Sequence, residues 1–268
     1  MKHDTSGEQS WRELLASPAR ASHILQLYDG DEFLAAAVAH FAAEGLKRGD
    51  AVLLTPAREH AQAIRGALRA LDVDAGSATR SGQLVLGDVD RALSAVVVNG
   101  VLEPERFNAT AGAALELALG DPRFGGVRWW GEMTTTLWRR GLHAPGMEAE
   151  RLADAAAKKY GATVFCSYQC DGYDAKGYDA TLHELCGLHS HLIPAEDYAA
   201  HRLAVNQAIA EVVGELKGAL LHSLAAWQGL GCHLPASQAL LFWLRETMPE
   251  RFDAVLERAR HYAKDVSP

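Results

Sequence analysis

Long apolar runs are missing from this 268-residue chain. No segment approaches the roughly 18–20 consecutive apolar residues of a bilayer-spanning helix, so no membrane partner is expected. The N-terminus, MKHDTSGEQSWRELL, is polar and lacks the apolar centre of a signal peptide. A cytoplasmic location is the default expectation. Cysteine is scarce: Cys166, Cys170, Cys186 and Cys232 are the four, and in that compartment they are expected as thiols. Positive charge is the minority sign. Lys and Arg number 26 against 34 Asp and Glu, a formal net charge of −8. With no basic run either, direct nucleic-acid binding is disfavoured. Internal repeats and low-complexity tracts are also lacking.

Two chemistries are missing as well. A nucleotide-binding turn needs a glycine-rich loop of backbone N–H groups, a Lys for the phosphates and a Ser or Thr for the metal. The turn where such a loop would sit reads Tyr28-Asp29-Gly30-Asp31-Glu32. It offers one glycine and three carboxylates, which repel phosphate. No Gly-x-Ser-x-Gly elbow is present, and Cys232-His233 are adjacent in sequence without being a dyad for that reason. No catalytic residue is assigned, and the chain is not expected to be an enzyme.

What is present is a strand–turn–helix–strand unit. His23–Tyr28 is an apolar run. Phe33–Lys47 carries Phe33, Leu34, Ala37, Val38, Phe41, Ala42 and Leu46 at helical spacing. Ala51–Thr55 is a second apolar run. Such a unit normally joins parallel strands through a helical crossover, and ligands dock at the strand ends. Further strands are expected at Gln83–Leu86, Val127–Trp130 and Thr163–Tyr168. Helices are expected at Ala57–Leu71, Arg91–Val98, Glu103 to about Leu119, Thr134–Arg140, Met147–Tyr160 and Asp179–His191. Gly141–Gly146 reads as a loop. The alternation predicts an α/β three-layer sandwich with a mainly parallel sheet. After Pro194 only helices are expected, at His201–Leu224, Ser237–Thr247 and Pro249–Ala263, with Gly229–Pro235 as a breaker. Residues 1–20 thus read as a leader with a short helix around Trp11–Ala16, 21–194 as the α/β domain and 195–268 as a helical extension. With 49% hydrophobic and 22% charged residues, the chain has ample material for a core.

The order of these motifs resembles the early part of KaiC- and RecA-like ATPase domains, where a helix ending in a sequence like Glu44–Gly49 leads to the second strand. It is more similar to the MEDS domain, the methanogen/methylotroph sensory domain found in a repressor of dichloromethane dehalogenation. His23–Asp31, Ser81–Asp88, Glu105–Phe107, Trp129–Trp138 and His189–Pro194 carry that likeness, over roughly residues 20 to 195. The resemblance implies a KaiC-like fold that has lost its phosphate loop. It also implies a sensory role toward small organic ligands such as hydrocarbon derivatives, and a regulatory partner: a transcription factor, a kinase or an anti-sigma system. It supplies no agreed binding residues. Repressor-type members carry a helix-turn-helix before the sensory domain. About twenty residues precede it here, so a DNA-binding repressor is not expected, and the extension is read as an output or homodimerisation element.

Two groups of residues are candidates for a site. Asp29, Asp88 and Glu132 each follow a predicted strand. With Tyr28, Asp31, Trp129 and Trp138 they are the expected wall of a ligand crevice at the C-terminal edge of the sheet. The plainer alternative makes the carboxylates helix caps and the tryptophans core. Neighbouring strand residues face opposite ways, so Trp129 and Trp130 cannot both face one helix layer. The second group is His183, Cys186, His189 and His191. Its Cys186, His189 and His191 suit a transition metal or haem as the alternative function. The spacing matches no common zinc-finger template. Cys166, Cys170 and His143 join such a set only if the fold brings them near. Under the first reading no cofactor is expected.

Overall fold

The first strand is buried along its whole length. The computed structural model describes residues 10–178, 180–215, 217–218, 220–221 and 232–266. Strand β1 is His23–Tyr28. Helix α2, Asp31–Arg48, buries Phe33, Leu34, Ala37, Val38, Phe41 and Ala42. Gly49 ends it at φ 81°, a left-handed conformation that costs glycine little. Strand β2, Ala51–Thr55, follows. Before them lies α1, Trp11–Ala16.

Next come α3 (Arg58–Ala70), α4 (Ala75–Arg80), β3 (Leu84–Leu86) and α5 (Val89–Val96). The β-branched end of the helix expected at Arg91–Val98 is instead strand. Val97–Val98 (β4) pairs antiparallel with Val101–Leu102 (β5). Asn99 and Gly100, at φ 51° and 78°, make the turn, the Asn-Gly signature of a two-residue hairpin. The helix expected from Glu103 has three pieces: α6 (Pro104–Phe107), a π-helical turn (Asn108–Gly112) and α7 (Ala113–Gly120). Strand β6 is Val127–Gly131, and α8 is Met133–Arg139. Helix α9 starts at His143 and runs to Tyr160, so it absorbs most of the loop read at Gly141–Gly146. The indole of Trp138 occupies the space where a Gly146 side chain would lie. Strand β7 is Thr163–Gln169.

The strands form a six-stranded, all-parallel sheet in the order β3-β2-β6-β7-β1-β8, where β8 is His191–Ile193. The short β8 takes up the end of the helix expected to run to His191. Helix α2 packs on β2 and β6 from one side, and α7 and α9 reach β6 and β7 from the other. Strand alternation sorts the side chains. Arg128 and Trp130 face α1 and α2, while Val127 and Trp129 join the clusters under α7 and α9.

Contacts divide the chain into two compact units. One holds Trp11–Leu25 and Gly30–Gln169; the other holds Gln26–Asp29 and the chain from Cys170. This second unit begins before the Pro194 boundary expected from the sequence. Within the second unit lie α10 (Ala180–Leu188), α11 (Tyr198–Val213), α12 (Ala236–Thr247) and α13 (Pro249–Val266). Buried Tyr178 meets the rings of Phe242 and Phe252 edge-on there, and its hydroxyl donates to the carbonyl of Gly172 at 2.7 Å. The leader before Ser10, the end of the helix expected to Leu224 and the start of the Gly229–Pro235 breaker lie outside the described residues.

Candidate functional site

The strand-end carboxylates take separate partners. Glu132 follows β6 and is buried. Its Oε2 accepts the backbone N–H of Ala57 at 2.6 Å, and its Oε1 lies 2.6 Å from Nδ1 of His60. Ala57 precedes α3, which has no capping side chain of its own, so Glu132 supplies that cap from another element. The far nitrogen of His60 lies 3.4 Å from the exposed Asp31 carboxylate. Asp31 and Glu132 thus sit on either side of one imidazole. Burial raises the Glu132 carboxyl, opposed by the Ala57 N–H and by His60. Asp88 caps α5 by accepting the N–H of Arg91 at 2.9 Å. Strands β3 and β6 flank β2, so their ends are about 10 Å apart by strand spacing. Tyr28 is buried and Asp29 exposed at the end of β1. Trp138 is half-buried against the ring of Tyr168, centroids 4.9 Å apart.

Of the seven residues predicted to bind a ligand, Trp129 lines a cavity within the sheet unit. Trp130 turns the other way, is fully buried, and donates its indole N–H to Ser167 at 3.0 Å. The cavity holds about 180 Å³ beneath α7 and α9. Leu53, Phe107, Ala111, Trp129, Met133 and Ala153 form much of an apolar wall, and the π-helical turn contributes Thr110 and Ala111. Thr134, Glu150 and Cys166 are polar exceptions on that wall.

Those polar groups belong to a buried network that spacing did not reveal. The Oε1 atom of Glu150 accepts the hydroxyls of Thr134, at 2.6 Å, and Tyr168. Its Oε2 lies 3.3 Å from Nε2 of His23, and the same nitrogen is 3.2 Å from Sγ of Cys166. His23 opens β1, Glu150 lies mid-α9, and Cys166 and Tyr168 share one face of β7. Burial, and then the Glu150 carboxylate, push the Cys166 thiol and the Tyr168 hydroxyl well up from their ordinary values. The one signal in the sequence was polarity inside otherwise apolar segments: a His at the start of β1, a Cys in TVFCSY and a Glu among the alanines of α9.

The His/Cys set read near residue 186 is arranged differently from a shared face. His183 is half exposed, 4.0 Å from Glu246. Cys186 is fully buried, in thiol contact with Cys232. His191 stacks on His233 with centroids 4.8 Å apart. Burial lowers its pKa, and His233 adds to that. His189 is buried with Nδ1 2.7 Å from the carbonyl oxygen of Leu185. Among the described residues, His183, Cys186 and His191 do not gather into a group of three close donors. None of the four cysteines is bridged.

No curated protein matches the chain. The sequence model of the methanogen/methylotroph, DcmR sensory domain matches residues 22–190, which begins at β1 and ends just before β8. That match takes in all the residues of the cavity and of the strand-end carboxylate pair, and it covers well over half of the sequence: the chain belongs to the MEDS sensory-domain family.

Proposed function

We propose that this protein is a non-catalytic sensor that holds a small, mostly apolar organic molecule in the cavity beneath α7 and α9. The single observation that supports it most is the cavity itself. It is preformed and apolar, with aromatic Phe107 and Trp129 on the wall and a few convergent polar groups, the composition that suits an organic ligand. Its size is also apt, since an apolar void of roughly 150 Å³ accepts benzene. Family membership supports the sensory role, and the YDGDE turn speaks against a nucleotide. The signal then passes to a regulatory protein of the transcription-factor, kinase or anti-sigma class, with the helices after Pro194 as output or homodimerisation element. Among the described residues no helix is long and apolar enough to cross a membrane.

The test is calorimetric titration with benzene and its mono-substituted derivatives. Saturable binding to the wild type is expected. Ala153→Leu, which fills the void from α9, should weaken it at least ~tenfold, or about 1.4 kcal/mol. Equal affinity in the filled variant, or no binding across the series, would remove the reading. Micromolar ATP binding abolished by changes at Asp29–Glu32 would replace it with a nucleotide-binding one.

A further inference from the structure

We propose that His23, Glu150 and Cys166 form a transition-metal site in the sheet unit, suited to Zn²⁺. The three donors come from β1, α9 and β7, and their ligand atoms lie within 4.8 Å of one another. The closer distances decide the matter. Nε2 of His23 is 3.2 Å from Sγ of Cys166 and 3.3 Å from Oε2 of Glu150. A tetrahedral zinc, with bonds of about 2.0–2.3 Å to N, O and S, sets such donors roughly 3.3–3.6 Å apart. Two of the three donor separations therefore already match a tetrahedral ion.

The surroundings orient the donors as supporting groups orient ligands in metal sites. The hydroxyls of Thr134 and Tyr168 occupy Oε1 of Glu150, and Oε2 is the atom nearest His23. Behind the imidazole, a carboxylate oxygen of Asp154 stands 3.9 Å from Nδ1. All three donors are less than a tenth exposed, and with three protein donors the fourth position of a tetrahedral ion is left for a water. Glu150 and Cys166 also line the cavity, which gives an ion a way in. An N/O/S donor set selects a borderline-soft ion such as Zn²⁺ over Mg²⁺ or Ca²⁺. The site shares Glu150 and Cys166 with the cavity, but the metal readout needs no organic ligand and so tests the ion separately.

The experiment is a Co²⁺ titration of the metal-stripped full-length chain, read by the thiolate-to-cobalt charge-transfer absorption, followed by displacement with Zn²⁺. One equivalent is expected to bind, displace the Cys166 thiol proton to solvent and raise the band. Cys166→Ser, folded by circular dichroism, should lose the band. Glu150→Gln should weaken binding by more than ~100-fold, since even groups that merely support a ligand are worth ~10–100-fold. Cys186→Ser should change neither. If Cys166→Ser does not fold, zinc-edge X-ray absorption on the loaded wild type decides. One sulfur with nitrogen and oxygen neighbours is the expected shell, and two sulfurs would place the ion at Cys186 and Cys232 instead. A wild type that binds no Co²⁺ at stoichiometric concentration, or a band that survives Cys166→Ser, overturns the proposal.

Discussion

Arg128 shows how much one residue organises. Its guanidinium is 3% exposed and donates to the carbonyls of Leu15 at 2.7 Å, Ala16 at 3.0 Å and Phe41 at 3.0 Å, and to Asp50 at 3.1 Å. It thereby joins α1 and α2 to β6. Burial lowers its pKa, and Asp50 opposes that shift. The side chain passes directly beneath Gly45 of α2, where a Cβ would stand 2.5 Å from Cδ of Arg128. Alanine in a helix interior normally gains about 1 kcal/mol over glycine. Here the overlap, with a side chain held by four acceptors, costs about 2–3 kcal/mol. Gly45→Ala is therefore expected to lower stability by about 1–2 kcal/mol net. Gly66 in α3 has nothing within 4 Å of its Cβ position, so Gly66→Ala should gain up to about 1 kcal/mol. Urea titrations of the two variants check the pair, and equal shifts would refute the packing argument.

At the scale of elements, the cap of α3 comes from β6. Glu132 serves the N–H of Ala57 and the imidazole of His60 together. Glu132→Ala leaves two buried polar groups without that acceptor, a loss of about 2–3 kcal/mol by the cost of hydrogen bonds to charged groups. Glu132→Gln, which keeps an acceptor, should lose clearly less. Thermal unfolding of the two variants measures the difference, and identical losses would show that the carboxylate is dispensable. Both strands of the opening unit and the end of α2 were legible, because apolar periodicity and the Gly49 stop are local signals, while α2 begins at Asp31, two residues before the apolar pattern does. The β4–β5 hairpin was missed although Asn99-Gly100 announces it. Val96–Val98 continues the apolar pattern of α5, and a two-residue strand offers no alternation to detect. Strand β8 was hidden the same way, since a three-residue strand needs a neighbour to define it.

On the scale of the whole molecule, the helices after Cys170 carry a buried titratable group of their own. His201 on α11 has Nδ1 2.9 Å from the Ser237 hydroxyl on α12, and its ring packs near Tyr173. Burial lowers its pKa to about 4. The unfolded imidazole, near 6.5, takes up a proton before the native one does. The native state therefore holds fewer protons between pH 6.5 and 4, and its stability falls as pH drops through that window. The full difference is about 3 kcal/mol, present above pH 6.5 and lost below pH 4. Amide exchange of α11 should report this loss, and His201→Gln should flatten it. A slope unchanged in that variant would assign the acid sensitivity to other groups.

The sequence by itself determined the α/β class, the parallel sheet, the missing phosphate loop and the family likeness. Each follows from local periodicity or from a residue type that is present or lacking, and both are readable without neighbours. It also determined that Trp129 and Trp130 must part, because a strand alternates. Only the tertiary structure decided where the polar groups meet. His23, Glu150 and Cys166 are separated by more than a hundred positions at the widest, and a sheet order that sets β7 beside β1 is what joins them. The cavity is likewise a property of packing, since it lies among α5, the π-helical turn, α7, α9 and four strands that no single segment specifies. Side-chain chemistry is written locally, but a binding site is made of distances between segments, and those are fixed when the layers close on a common core.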